Sequence, residues 1–374
     1  MENNKIRTVI SNITIWMLFL GTAIACSKEQ GSPTEEEVVY PTNLKVDISL
    51  AGQDDYHPYG DGTGVVVFNV SADNAIKYEL TYNNTTIETN TEGYFEYQFK
   101  KEGLDEYKVE VIAYSETNHA AKQQETVTIH VNENGFSELV WSDDFDGGSG
   151  RLDASKWNYD LGDGCPSLCG WGNGEQQYYT DRSDNVKVED GFLKITAKKE
   201  TYGGKSYTSA RIKTQGKFSF TYGKLEILAK LPNGGGTWPA LWMLGENISS
   251  VGWPQCGEID IMEHRGNYPG QVSCALHTES SYGNTNNKGE VKVDNVSGEF
   301  HLYAIEWTEE KIDFYVDNKL FYTYQPSTKT EASWPFNKNQ FIILNIAMGG
   351  TLGGEIPSSF NEAEMVVDYV KLYQ

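Results

Sequence analysis

The stretch Gly257-Glu258-Ile259-Asp260-Ile261-Met262-Glu263-His264 places three carboxylic acids within six residues. Carboxyl groups held side by side can transfer protons and attack electrophiles, provided that they share a face. On a regular strand side chains alternate, so Glu258 and Asp260 point one way and Glu263 the other. On a helix Glu258 and Glu263 stand five apart, outside the reach of the third and fourth neighbours. A regular strand would also set Glu263 among Ile259 and Ile261, at high cost for an ionised, unpaired group. One extra residue at Ile261-Met262, a β-bulge, flips the parity and gathers the acids. The spacing therefore predicts a bulged strand with one acidic face. Two carboxyls flanking a glycosidic bond are the recurring machinery of glycoside hydrolysis, and a third acid between them can orient the nucleophile and modulate its pKa. A solvated acidic edge and a calcium site are the competing readings of these residues alone, although the loop spacing of an EF-hand is absent.

The neighbouring sequence supplies groups that suit an uncharged sugar. Trp238-Pro239-Ala240-Leu241-Trp242 sets two indoles on one face of an extended chain, with Pro239 marking an irregular or edge position. Indole planes stack on the apolar faces of pyranose rings, though a tryptophan is as often core. Asn173, Glu175, Gln177 and Tyr179 alternate beside Trp171 as a polar ribbon, and Arg211 and His277 are further cleft candidates.

These residues require strands to position them, and the chain is rich in strand signals. Residues 64–70, 75–82, 93–99, 106–114 and 125–131 read as short strands, with Tyr107, Val109, Val111 and Ala113 on one face. They predict a small immunoglobulin-like β-sandwich over residues 41–133, bounded by Asn132-Glu133-Asn134-Gly135. Longer aromatic-rich strands follow at 185–200, 206–232, 301–324 and 340–350, with no long amphipathic helix. They predict one large two-sheet sandwich over 138–374, so the fold class is all-β. A first-domain role as a spacer is favoured over glycan binding, because no catalytic constellation is visible there.

The 374 residues are 39% hydrophobic and 13% aromatic, enough to bury a core, and the formal charge of −23 disfavours nucleic acid and strongly anionic polymers. Lys5 and Arg7 precede an apolar run from Val9 to Ala25 that ends in Ala23-Ile24-Ala25-Cys26. The layout is that of a secretory signal over residues 1–25, and the run is short and weak for a spanning helix. The junction resembles the lipobox of bacterial lipoproteins. That resemblance implies lipidation of Cys26, a membrane anchor and a tether over 26–40, and the Ser-Lys-Glu-Gln that follows resembles the export tag of surface lipoproteins. The expected location is the outer membrane, exposed at the cell surface. Export permits disulfides: Cys165 and Cys169 can bridge a loop, while Cys256 and Cys274 are open between a pair and buried thiols.

The stretches 170–180, 209–232, 235–244, 256–266, 276–278, 303–307, 344–350 and 367–374 together resemble glycoside hydrolase family 16, in its laminarinase-like branch. The Glu-x-Asp-x-x-Glu signature is intact. The first domain resembles the PKD class of immunoglobulin-like modules, through its strand pattern and Ser71-Ala72-Asp73-Asn74-Ala75. The main resemblance implies a catalytic β-jelly roll of two curved antiparallel sheets and a retaining mechanism. Glu258 would be the nucleophile, Asp260 its supporting acid and Glu263 the acid/base. Asn173, Arg211, Trp238, Trp242, His277 and Asn345 match sugar-contacting positions. No catalytic cofactor is implied; a structural Ca²⁺ at Asp144, the Gly191 backbone and Asp368 is, with Asp144 standing where glutamate is more usual. The implied activity is endo-hydrolysis of β-1,3-glucan by a monomer. Mixed-linkage β-1,3/1,4-glucan hydrolysis and glycan binding without catalysis are the alternatives.

Overall fold

A computed structural model of the chain describes residues 38–132, 135–148 and 150–374. The N-terminal signal, Cys26 and most of the tether lie outside the described residues.

Between Thr42 and Val131 the chain forms a three-stranded sheet, ordered Thr42–Leu50, Val65–Asp73 and Tyr94–Gln98, and a four-stranded one, ordered Thr85–Asn90, Lys77–Tyr82, Gly103–Tyr114 and Ala120–Val131. Tyr107, Val109, Val111 and Ala113 are all buried, as their alternation predicts, and share one core with Val66, Phe68 and Phe95 of the other sheet. Thr42–Leu50 and Thr85–Asn90 add to the five strands expected.

From Leu139 to Tyr373 two large sheets face each other. The first runs Gln177–Tyr179, Lys205–Ser209, Phe192–Tyr202, Glu362–Tyr373, Gly223–Lys230, His301–Trp307, Ile312–Val316 and Lys319–Tyr324, with Val186–Glu189 and Leu139–Asp143 paired alongside. The second runs Lys288–Lys292, Gln271–His277, Glu258–His264, Thr237–Gly245, Gln340–Met348, Arg211–Lys213 and Asn158–Asp160. Strand alternation sorts the side chains. Ile342, Leu344, Ile346 and Met348 point between the sheets, where they join Leu225, Ile227, Tyr303, Ile305 and Phe314 in one core. Burying each such side chain contributes about 1.5–3 kcal/mol. The intervening residues of the second sheet point to its open face.

Several of the longer strands expected are divided, and 301–324 is three strands, His301–Trp307, Ile312–Val316 and Lys319–Tyr324. Residues 206–232 are not one strand: Lys205–Ser209 and Gly223–Lys230 belong to the first sheet, whereas Arg211–Lys213 belongs to the second, so the chain changes sheets at buried Ala210. Residues 185–200 form a hairpin, because Asp190 and Gly191 both take positive φ. Pro239 lies in a central strand, opposite Ile346; pairing with the acidic strand ends at Ala240–Glu263, so its missing N–H lies just past the end of that ladder. The two α-helices among the described residues have four residues each, and no helix among those residues is long and apolar enough to cross a membrane.

The first unit rests on the outer face of the first sheet. Along Gly223–Lys230, Leu225, Ile227 and Ala229 turn inward, and Lys224, Glu226 and Leu228 turn outward beneath it. Lys224 Nζ donates to Asn132 Oδ1 at 3.0 Å and meets Glu226 Oε1 at 2.8 Å. His57 Nε2 lies 3.4 Å from Glu226 Oε2, Asn318 Nδ2 donates to the Tyr56 carbonyl, and Tyr56 packs on Leu228, Leu302 and Tyr369.

Candidate active site

Two glycines delimit the acidic strand. Gly257 has φ +77°, and a Cβ there would come within 2.8 Å of Pro335 and 2.9 Å of Phe336. At Gly266 a Cβ would stand 1.8 Å from the Gly234 carbonyl, so only glycine lets the two backbones pass. Between them the predicted bulge is present. Asp260 pairs with Ala275 and Glu263 with Ser273, so Ile261 and Met262 face Cys274 alone. Both enter the core, 2% and 0% exposed. The extra residue thus buries two apolar side chains on one face and brings Glu263 back to the face of Glu258 and Asp260. In an unbulged ladder with the same sequence a carboxyl would take an apolar place, at several kcal/mol if ionised.

Two of the acids accept hydrogen bonds from indoles, and one imidazole faces the third. Trp253 Nε1 donates to Glu258 Oε2 at 2.9 Å, and Trp238 Nε1 donates to Glu263 Oε1 at 3.0 Å. His277 pairs with Glu258 across the ladder; its Nε2 lies 3.6 Å from Glu258 Oε1 and 3.2 Å from Asp260 Oδ2. Burial pushes all three carboxyls up to about 8, and the charge of Asp260 adds to the rise at Glu258 and Glu263. His277 and the indole donors oppose that rise. Burial therefore favours the protonated form of Glu263, while His277 and the Trp253 N–H draw Glu258 toward its ionised form. His264, at the end of the strand, is a structural residue: its buried ring accepts from the Gly270 N–H, and burial lowers it to about 4.

The predicted sugar contacts fall on the same open face. Trp242 Nε1 donates to Asn345 Oδ1 at 2.8 Å, and Asn345 Nδ2 donates to the Tyr179 hydroxyl at 3.0 Å. Tyr179 and Gln177 both donate to buried Glu175, so the polar ribbon is a supporting network beneath Trp242. The Arg211 guanidinium lies between two indoles, 4.7 Å from the ring centres of Trp171 and Trp242. Each such contact contributes about 0.5–2 kcal/mol. Asn173 is instead on an exposed turn at the rim, where its carbonyl accepts from Thr351. Two functional side chains escaped the sequence reading. Trp253 comes from an irregular loop and carries no periodic signal. Asp160, at the edge strand, fixes Arg211 Nε at 3.0 Å and Lys213 Nζ at 2.6 Å, a pairing that only the Arg211–Asp160 register creates.

Away from this face, Asp144 and Asp368 are neighbours. Burial and the charges of Asp144, Asp146 and Asp54 raise the Asp368 carboxyl against the pull of Lys371. The acid against Gly191 is Asp146, whose Oδ1 a Cβ there would meet at 3.2 Å, whereas Asp144 Oδ1 holds Lys371 Nζ at 3.1 Å. Cys165 and Cys169 are joined as a disulfide, and Cys256 and Cys274 are buried free thiols.

A two-sheet sandwich whose open face presents clustered carboxyls beside partly exposed tryptophans is built to cleave bonds between sugars. The family model for glycosyl hydrolases family 16 matches residues 173–371, and the chain belongs to that family: it is a glycoside hydrolase. A model for the β-glucan synthesis-associated proteins SKN1/KRE6/Sbg1 matches residues 67–258 and stops before Asp260 and Glu263. The chain is 46% identical over 251 residues to a β-glucanase of Rhodothermus marinus, covering 63% of this chain and 85% of that protein. Among solved structures, the laminarinase of Flavobacterium sp. UMI-01 is 52% identical with a TM-score of 0.60, over 63% of this chain and all of that one, 100%. SCLam, a non-specific endo-β-1,3(4)-glucanase, is 37% identical with a TM-score of 0.59, over 63% and 91%. These neighbours share the jelly-roll arrangement of the two large sheets.

Proposed function

We propose that the chain is a retaining endo-β-glucanase that hydrolyses β-1,3-glucosidic bonds of laminarin-type glucans. The observation that carries this reading is the bulge, which sets Glu258, Asp260 and Glu263 on one open face beside Trp238 and Trp242. Glu258 must react as the carboxylate, the form that His277 and the Trp253 N–H favour, and it attacks the anomeric carbon while Glu263, held protonated by burial and by the charge of Asp260, gives its proton to the glycosidic oxygen. The carbon–oxygen bond breaks, and a glycosyl ester forms on Glu258. Glu263, now ionised, takes a proton from water, whose oxygen attacks the same carbon and frees Glu258. Asp260, between them, supports the nucleophile. Arg211, Trp242, Asn345 and His277 hold the chain, with Asn173 at the rim.

Similarity to a non-specific endo-β-1,3(4)-glucanase supports a second reading, in which mixed-linkage glucan is also cut. Product analysis on laminarin, lichenan, agarose and porphyran side by side separates the readings. A ladder of oligosaccharides from laminarin is expected. Binding of laminarin without new reducing ends would replace hydrolysis by glycan binding. Glu258→Gln should lower turnover by roughly 10³-fold or more, and azide should partly rescue Glu263→Ala.

We further infer a Ca²⁺ of structural role at Asp144, Asp368 and the Gly191 backbone, with Asp146 as an added acid, since the charges of Asp144 and Asp146 already act on Asp368 and a hard cation would relieve them. Its entry would displace Lys371 from Asp144. An equal melting temperature in calcium and in chelator would discard it. The residues before Val38 support export, lipidation at Cys26 and display at the outer membrane. Palmitate labelling lost in Cys26→Ser, together with cleavage by protease added to whole cells, is the expected result. The module over 41–133 is then a PKD-like spacer, with the catalytic domain at 138–374 acting as a monomer.

A further inference from the structure

The corner formed by Glu258, Asp260 and His277 has a property that hydrolysis does not require. One ligand atom from each lies within 4.8 Å of the other two. His277 Nε2 stands 3.2 Å from Asp260 Oδ2 and 3.6 Å from Glu258 Oε1. In a tetrahedral zinc site, with ligands at about 2.0–2.2 Å, neighbouring donor atoms are about 3.3 Å apart. The two edges that meet at His277 Nε2 therefore already have about the length found in such a site. Asp260 contributes a second, independent sign. Its side chain is 6% exposed, and Oδ2 accepts no hydrogen bond although it is aimed at the imidazole. Trp253 holds the other Glu258 oxygen, Oε2, and so leaves Oε1 turned toward the corner.

We propose that Glu258, Asp260 and His277 form a site for a zinc-class divalent ion, and that its occupancy shuts the enzyme off. One imidazole and two carboxylates with an open fourth position suit Zn²⁺ and Cu²⁺; Ca²⁺ and Mg²⁺ require more oxygens. The ion takes the lone pair with which Glu258 would attack the sugar, so it competes with glucan. Among the described residues no other three His, Cys, Asp or Glu side chains gather in this way. His57 also meets two acids, but through opposite ring nitrogens, which cannot chelate one ion.

The test is a titration of the full chain with Co²⁺, followed by Zn²⁺. Visible absorption bands of a four-coordinate cobalt site are expected, at one ion per chain, and Zn²⁺ should erase them. In turnover of laminarin, Zn²⁺ should raise the apparent KM and leave kcat unchanged. His277→Gln and Asp260→Asn should lose the bands and bind Zn²⁺ roughly tenfold or more weakly, while each still melts cooperatively. Wild-type protein without cobalt bands, or bands of full strength in both variants, would overturn the site. Tight Zn²⁺ binding with unaltered turnover would overturn the shut-off. The spectral arm needs no catalysis, so it tests the metal site apart from the glucanase reading.

Discussion

Glu258, Asp260 and Glu263 are held where ionisation is opposed, and stability must reflect this. Their native pKa values, near 8, lie above those of the unfolded chain, near 4. Between these values the unfolded chain has shed protons that the native site retains. The stability they confer is therefore complete below about pH 4 and is lost as pH rises toward 8. Glu258→Gln and Asp260→Asn remove one titrating group each, so each should melt above wild type, and by a wider margin at pH 8 than at pH 5. Every 1 kcal/mol gained amounts to about 2–4 °C in a domain of this size. Calorimetry at the two pH values checks this, and margins that do not widen with pH would refute the assignment. Trp253→Phe removes the N–H that faces Glu258 Oε2 while keeping a ring. A hydrogen bond to a charged group contributes about 1.5–3 kcal/mol, so kcat should fall about tenfold or more, with little change in the melting temperature.

At the scale of elements, the acidic strand shows how far a sequence can be read. The parity of Glu258, Asp260 and Glu263 alone required the bulge, and the ladder contains it. The same logic predicts that deletion of Met262 leaves the acids two residues apart on one regular face. That variant should retain hydrolysis well above Glu263→Ala, while losing about 2–5 kcal/mol of stability with the buried thioether. Rates and melting curves of the two variants decide it. Other elements were illegible for physical reasons. Thr85–Asn90 is an edge strand with no buried residue, so it carries no apolar alternation. The switch of sheets at Ala210 leaves no mark, because the residues on both sides still alternate. The salt bridge from Asp160 to Arg211 joins residues 51 positions apart through sheet register. Asp160→Ala frees a guanidinium clasped by two indoles, and it should raise KM for laminarin several-fold with kcat nearly unchanged.

At the scale of the whole molecule, the sequence announced two β units but not their contact. Lys224 and Glu226 alternate with Leu225 and Ile227, a pattern that reads as a solvated outer face, yet the first unit leaves them 5% and 1% exposed. Breaking such a buried pair by removing one partner costs about 3–5 kcal/mol. His57 strengthens the contact in acid. Burial would lower its pKa, but Glu226 and Asp54 outweigh burial and raise it. The stability it adds is thus full below the unfolded value of about 6.5 and disappears as pH rises through the native one. His57→Gln should melt below wild type at pH 5.5 and approach it at pH 8.5, with laminarin turnover unaffected at either. A deficit equal at both pH values would mean that the imidazole charge plays no part. The placement of this contact has a further consequence. The first unit grips the back of one sheet, and the acids open from the front of the other, with sheets stacked about 10 Å apart between them. A polymer strand crossing the acids therefore passes a front that the module does not obstruct, and a long chain can enter sideways and leave with both ends free. Whatever restrains the protein through its first unit turns the cutting edge outward, like a blade set in its handle.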